Sequence, residues 1–199
     1  MTFKVSDDHN FFADFDQAYI APPEKLPWYI KIAAWLTKRA VKKDLMIPKL
    51  LAWCPKVAIS SGVMESLVAH DDEEISARML KIIRVQVSVS VACPFCIDMN
   101  AFEFEKAGLS LAEIEALREG KECARFSEKE RLMMEYVSRI TATPVLLPKE
   151  LVERMRASFS PRGIVLIAAT ASQVNYWARL IRSLGVPVAG FGEVCKLER

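Results

Sequence analysis

Two cysteines three positions apart, in the run Cys93-Pro94-Phe95-Cys96, are the residues in this chain best spaced for chemistry. Proline lacks the N–H that is unpaired in the first turn of a helix anyway, so Pro94 predicts a helix start. That places Cys93 at the N-cap and Cys96 in the first turn, where free N–H groups and the peptide dipole favour an anion. The thiolate, not the thiol, is the nucleophile, so this position lowers a cysteine pKa and raises its reactivity. Sulfurs one turn apart can also reach each other. One can attack a substrate while the other resolves the product as an intramolecular disulfide. The chemistry expected is that of a redox-active dithiol.

Two other uses of a C-x-x-C compete with this one. A zinc site needs two further ligands, usually a second C-x-x-C or a histidine pair. The two histidines, His9 and His70, are far apart, and Cys54, Cys123 and Cys195 stand alone. No metal is therefore expected. The other use is structural, two small apolar side chains that happen to be buried at this spacing.

The elements that must hold the pair are helical. Pro27 opens a segment with Ile30, Ala33, Ala34, Leu36 and Val41 near helical spacing, a shorter one follows Pro48, and another spans about 56–69. Asp71 with Glu74 can cap a helix running to about Ala92, with His70 closing the helix before it. Ser110 with Glu113 and Ser127 with Glu130 have capping-box spacing, the second before Leu132, Met133, Tyr136, Val137 and Ile140. Pro148 starts a short helix, and Ser160-Pro161 starts a long one that ends before Gly185 and Pro187. Val85, Val87, Val89 and Val91 alternate as in a strand, but the chain offers no pairing partner, and an isolated strand leaves its backbone unsatisfied. The segment is read as a helix packed on every side. The expected fold is all-α: an N-terminal arm, 1–26, in which Phe11, Phe12, Phe15 and Tyr19 need packing partners, and one helical domain, 27–199.

Composition narrows the partners. A formal net charge of +2 on 199 residues is too small to argue for nucleic acid or an anionic membrane. Lys38, Arg39, Lys42 and Lys43 read as the solvated face of a helix. The N-terminal run carries Asp7 and Asp8 where a secretory leader needs an apolar stretch, and no apolar run spans a bilayer. The expected compartment is the cytoplasm, which suits five cysteines, an odd number.

The run RVQVSVSVACPFCIDMNAFEFEKAGLS, the later SEKERLMMEYVSRITATPVLLP, and a late helix with Asn175 and Arg179 followed by LGV resemble the alkyl hydroperoxidase D-like, or carboxymuconolactone decarboxylase, family. The likeness runs from about Ser76 to Gly185. It implies an all-α bundle that assembles into homo-oligomers, often trimers or hexamers. It also implies peroxide reduction without a bound cofactor, with Cys96 attacking, Cys93 resolving, and an external thiol reductant restoring the pair. A disulfide substrate would suit the same dithiol. Where the family's redox members carry a histidine four residues after the second cysteine, this chain has Asn100; where they carry a glutamate twelve before the first, it has Lys81. Asn100 can donate a hydrogen bond but cannot titrate, and Lys81 is a cation that could face a thiolate or solvent. Asp98 is the carboxylate within the motif, and it would raise a neighbouring thiol pKa unless paired or turned away. These departures predict a slower peroxidase. The family's other activity, lactone decarboxylation, and a non-catalytic oligomeric helical module are the alternatives. Asn175 and Arg179, four apart, are expected to tie two helices together.

Overall fold

The computed structural model describes residues 17–68 and 73–191. Along them run α1 (Trp28–Val41), α2 (Ile47–Leu50) continued by a 3-10 turn (Leu51–Trp53), α3 (Pro55–Val68), α4 (Ala77–Ser90) and α5 (Pro94–Ala101). A second 3-10 turn (Phe104–Ala107), α6 (Leu111–Glu119), α7 (Glu128–Thr141), α8 (Lys149–Ser158) and α9 (Pro161–Ser183) complete the order. No strand occurs among the described residues, and the fold is all-helical as expected. None of these helices is long and apolar enough to cross a membrane.

The valine-rich segment is the centre of the bundle. Helix α4 packs against α5, α6, α7 and α9, and it buries Met79, Leu80, Ile82, Ile83, Val85, Val87 and Ser88. A helix enclosed this fully has no polar face to reveal its 3.6-residue period, so alternation of small and branched residues can mimic a strand. Around it, Ile114, Leu132, Met133, Val137, Leu151, Met155 and Ile167 form the main core. A second apolar cluster joins Ile47, Leu50 and Leu51 to Phe95, Ala178, Ile181 and Val186, and it contains both Cys93 and Cys96.

The start of α4 differs from expectation. Ser76 is the N-cap, its hydroxyl accepting the Met79 N–H at 3.3 Å. Glu74 lies two residues too early to cap α4 and serves α9 instead, accepting the Ser160 N–H at 2.9 Å and the Ser160 hydroxyl. Gly163 leaves room for that carboxylate, since a Cβ there would sit 2.5 Å from a Glu74 oxygen. Asp71 and His70 lie outside the described residues, as do His9, Phe11, Phe12, Phe15 and Cys195. Of the arm, Tyr19 donates its N–H to the Leu184 carbonyl at 3.0 Å and lays its ring over Gly185. Gly185 has two reasons to be glycine: its φ is +62°, and a Cβ would lie 2.7 Å from the Tyr19 ring.

Both expected capping boxes form, and one arginine joins them. Ser110 and Ser127 each donate their N–H to the glutamate three residues on, at 2.8 Å in both cases. Arg78 on α4 reaches Glu113 at 2.5 Å, Glu130 at 2.7 Å and the Gly108 carbonyl at 2.7 Å. Burial alone would raise the Glu113 carboxyl, but hydrogen bonds from Arg78 and Ser110 outweigh it and bring the pKa to about 2. A folded-state value below the unfolded one gives stability that is complete above about pH 4.5 and lost as pH falls through about 2. Urea melts are expected to lose about 2–3 kcal/mol across that window beyond the loss seen with Glu113→Gln, which keeps the capping box without the titration. An equal acid dependence in the variant would contradict the assignment.

Candidate functional site

The turn between α4 and α5 sets the geometry of the dithiol. Cys93 donates its N–H to the Ser88 carbonyl at 3.1 Å, and the preceding Ala92 adopts φ +50°, a left-handed conformation unusual for a residue with a Cβ. The Ala92 carbonyl accepts a hydrogen bond from the guanidinium of Arg182, in the last turn of α9. Cys93 is then extended (φ −98°, ψ 102°) and forms the N-cap of α5, with Pro94 at the first helical position as expected. Its sulfur accepts the Cys96 N–H at 3.3 Å and lies 2.7 Å from the Cys96 sulfur. Both are enclosed, Cys93 at 0% exposure and Cys96 at 1%.

The two thiols are electrostatically unequal. Cys93 is lowered from the ordinary cysteine value, first by its hydrogen bond with the Cys96 side chain, then, against burial, by the Cys96 and Phe95 backbone N–H groups and the Arg182 charge. Cys96 is raised, by its hydrogen bond with Cys93, by burial and by the Cys93 charge beside it. The N-cap contributes to the lowering at Cys93, whose sulfur accepts a first-turn N–H.

The three supporting residues bond to other groups of the protein. Asn100 donates to the Ser88 hydroxyl at 3.0 Å, and that hydroxyl donates to the Arg84 carbonyl at 2.7 Å. Lys81 is half-buried, its ammonium donating at 2.8 Å to the carbonyl of Phe102, the C-cap of α5. Burial lowers its pKa, and the neighbouring Arg84 charge adds to the effect. Asp98 is buried with its carboxylate accepting the Phe191 N–H at 2.9 and 3.1 Å. Asn100, Lys81 and Asp98 thus bond hydroxyl and backbone groups of the protein.

Arg182 is the residue that the sequence did not point to. Its position near a helix C-terminus reads as a dipole partner, and nothing in its spacing marks it as a neighbour of Cys93. Asn175 does tie helices, donating to Thr141 on α7 at 3.4 Å, while Arg179 donates to its side-chain oxygen. Cys54 is exposed, and half-buried Cys123 lines a separate cleft of 430 Å³ with Gln86, Phe126, Arg131 and Met134. Cys93 and Cys96 do not line that cleft.

No family model matches the chain. Uncharacterized protein YdfG of Bacillus subtilis is 30% identical over 106 residues, covering 53% of this chain and 72% of that protein. The alkylhydroperoxidase AhpD core structure of an uncharacterized peroxidase-related protein from Ralstonia eutropha superposes with a TM-score of 0.78 at 14% identity, covering 92% of this chain and 98% of the other. An Agrobacterium tumefaciens protein of unknown function, described as a candidate antioxidant defence protein AhpD, gives 0.61 at 25% identity over 67% of this chain and 91% of its own. A variant of the debrominase Bmp8, in complex with 2,3,4-tribromopyrrole, gives 0.73 at 13% identity over 92% of this chain and 96% of its own. The fold and the dithiol at its helix start define an all-helical protein of the alkyl hydroperoxidase D core type. The chain belongs to the alkyl hydroperoxidase D-like, or carboxymuconolactone decarboxylase, family.

Proposed function

We propose that this chain is a dithiol oxidoreductase that reduces hydroperoxides, or exchanges with disulfides, through Cys93 and Cys96. One observation carries the reading: two enclosed sulfurs 2.7 Å apart at a helix N-terminus, one of them accepting a backbone N–H. That arrangement favours one thiolate and one thiol, the pair that two-electron reduction requires. A hydroperoxide would leave as alcohol and water, the pair would become a disulfide, and an external thiol would return two electrons. Lactone decarboxylation would ask for cations and acid–base groups around a carboxylated substrate. Here Lys81, Asn100 and Asp98 are engaged with the protein itself. Assembly into a homo-oligomer, a trimer or hexamer, is part of the proposal. It is supported by exposed apolar side chains on α1, where Trp28 is 73% exposed and Trp35 is exposed, and on α3, where Ile59 and Val63 are exposed.

The test is consumption of hydrogen peroxide or an organic hydroperoxide with dithiothreitol as reductant. Replacing both Cys93 and Cys96 with serine is expected to lower the rate at least about 100-fold. Undiminished turnover in the double variant would end the dithiol reading.

A further inference from the structure

We propose that the segment following α9, 185–191, is a gate over the dithiol, clasped shut by Asp98 and released to admit a substrate to the sulfurs. The proposal takes its purpose from the dithiol reading and adds the route by which that site is reached. Cys93 and Cys96 are 0% and 1% exposed, so neither a hydroperoxide nor a disulfide can touch a sulfur while the wall around them is closed. Part of that wall has to move. The apolar cluster that encloses the pair draws on α2, α5 and α9, and on this segment, which contributes Val186 and packs Ala189 against it.

The helical walls and the segment are held in different ways. Each helix is fixed by its own ladder of backbone bonds, whereas residues 187–191 make no backbone–backbone hydrogen bond with any described residue. Chain with few backbone bonds opens at lower free energy than the helices around it, and lids are drawn from such chain. At the near end Val186 donates its N–H to the Ile181 carbonyl at 3.1 Å, just after the left-handed turn at Gly185. At the far end Gly190 makes a second left-handed turn, with φ +68°. The span between the two glycines is therefore tied at its ends and free of the backbone ladder between them.

The far tie is the clasp, and side chains make it. The buried Asp98 carboxylate accepts the Phe191 N–H on both oxygens, at 2.9 and 3.1 Å, a charge-assisted bond out of solvent. The Phe191 ring lies 5.4 Å from that of Phe102. Lys43 donates to the Gly190 carbonyl at 2.8 Å, and its ammonium sits 5.9 Å from the Phe191 ring. Asp98 stands two residues beyond Cys96 on α5, so one helix carries both the clasp and the start of the dithiol. Releasing that single N–H frees the far end, and the segment can swing about Gly185 and withdraw Ala189 and Val186 from the cluster.

Access to the sulfurs can be measured without turnover. The reduced full-length protein would be alkylated with N-ethylmaleimide and the labelling rate of each cysteine read by peptide mass spectrometry, with the exposed Cys54 as internal reference. In the wild-type protein, labelling of the Cys93–Cys96 peptide is expected to rise with low urea far less steeply than global unfolding does, because a local opening exposes little surface. Asp98→Asn, whose neutral oxygen is the weaker acceptor, is expected to speed that labelling about tenfold, and Lys43→Met about threefold, with Cys54 unchanged in both. Lys43→Met keeps the buried carboxylate, so it carries the test if Asp98→Asn fails to fold. Labelling of the pair that follows the full unfolding slope, or that stays at the wild-type rate when the clasp is weakened, overturns the gate and leaves the dithiol reading standing. A chain that opens as expected and consumes no hydroperoxide keeps the gate and loses that reading.

Discussion

Replacing Arg78 with methionine is expected to destabilise the fold by about 3–5 kcal/mol, the range for removing one partner of a buried ion pair. The side chains of Glu113 and Glu130 are 5% and 9% exposed, and Arg78 is the cation that bonds both. Methionine would fill much of the volume and leave two carboxylates and the Gly108 carbonyl without their partner. The glutamates cannot simply turn outward, because each also closes the capping box of its helix. The cost is therefore one of uncompensated charge, and it should be largely recovered in the triple variant Arg78→Met/Glu113→Gln/Glu130→Gln. Glutamine still satisfies the capping boxes, and no buried charge remains. Urea unfolding of the single and triple variants decides the point. If the triple variant is as unstable as the single one, the loss comes from packing of the arginine stem instead. The pH dependence supplies a second sign: without Arg78, burial raises the Glu113 carboxyl, so the single variant should regain relative stability as pH falls toward about 4.

Arg78 also marks the limit of what the sequence disclosed. Ser110/Glu113 and Ser127/Glu130 announce two helix starts because capping is local, its partners three residues apart. The cation that serves both lies 35 and 52 residues away, a relation no short-range pattern contains. The same division runs through the site. Pro94 placed Cys93 at the N-cap from neighbouring residues alone. The Arg182–Ala92 bond spans 90 residues and belongs to the packing of α9 on the α4–α5 turn. Glu74 shows the error in the other direction: its spacing suited a local cap, and its carboxylate found the start of α9 instead. For Asn100 and Lys81, what each side chain bonds to depended on the helices brought beside it.

Asn100→His is expected to accelerate hydroperoxide consumption about 10- to 100-fold. Residue 100 stands one helical turn after Cys96 on α5, the separation at which side chains share a face. In the present chain its amide is occupied by the Ser88 hydroxyl. An imidazole there can use one ring nitrogen on Ser88 and offer the other as a base, with an unperturbed pKa of about 6.5. General-base assistance contributes roughly 10²–10⁴ when geometry is good, and the lower end is taken here because the site is not otherwise built around a base. The rate should rise with pH through the histidine titration, a step that the wild-type profile lacks. The sulfenic acid trapped by dimedone in Cys93→Ser/Asn100→His should exceed that in Cys93→Ser alone by a similar factor. Adding Lys81→Glu removes the ammonium that caps the Phe102 carbonyl, so it should cost about 1 kcal/mol of stability whatever it does to the rate. An unchanged rate would mean that the residue at position 100 does not set the reactivity of the pair.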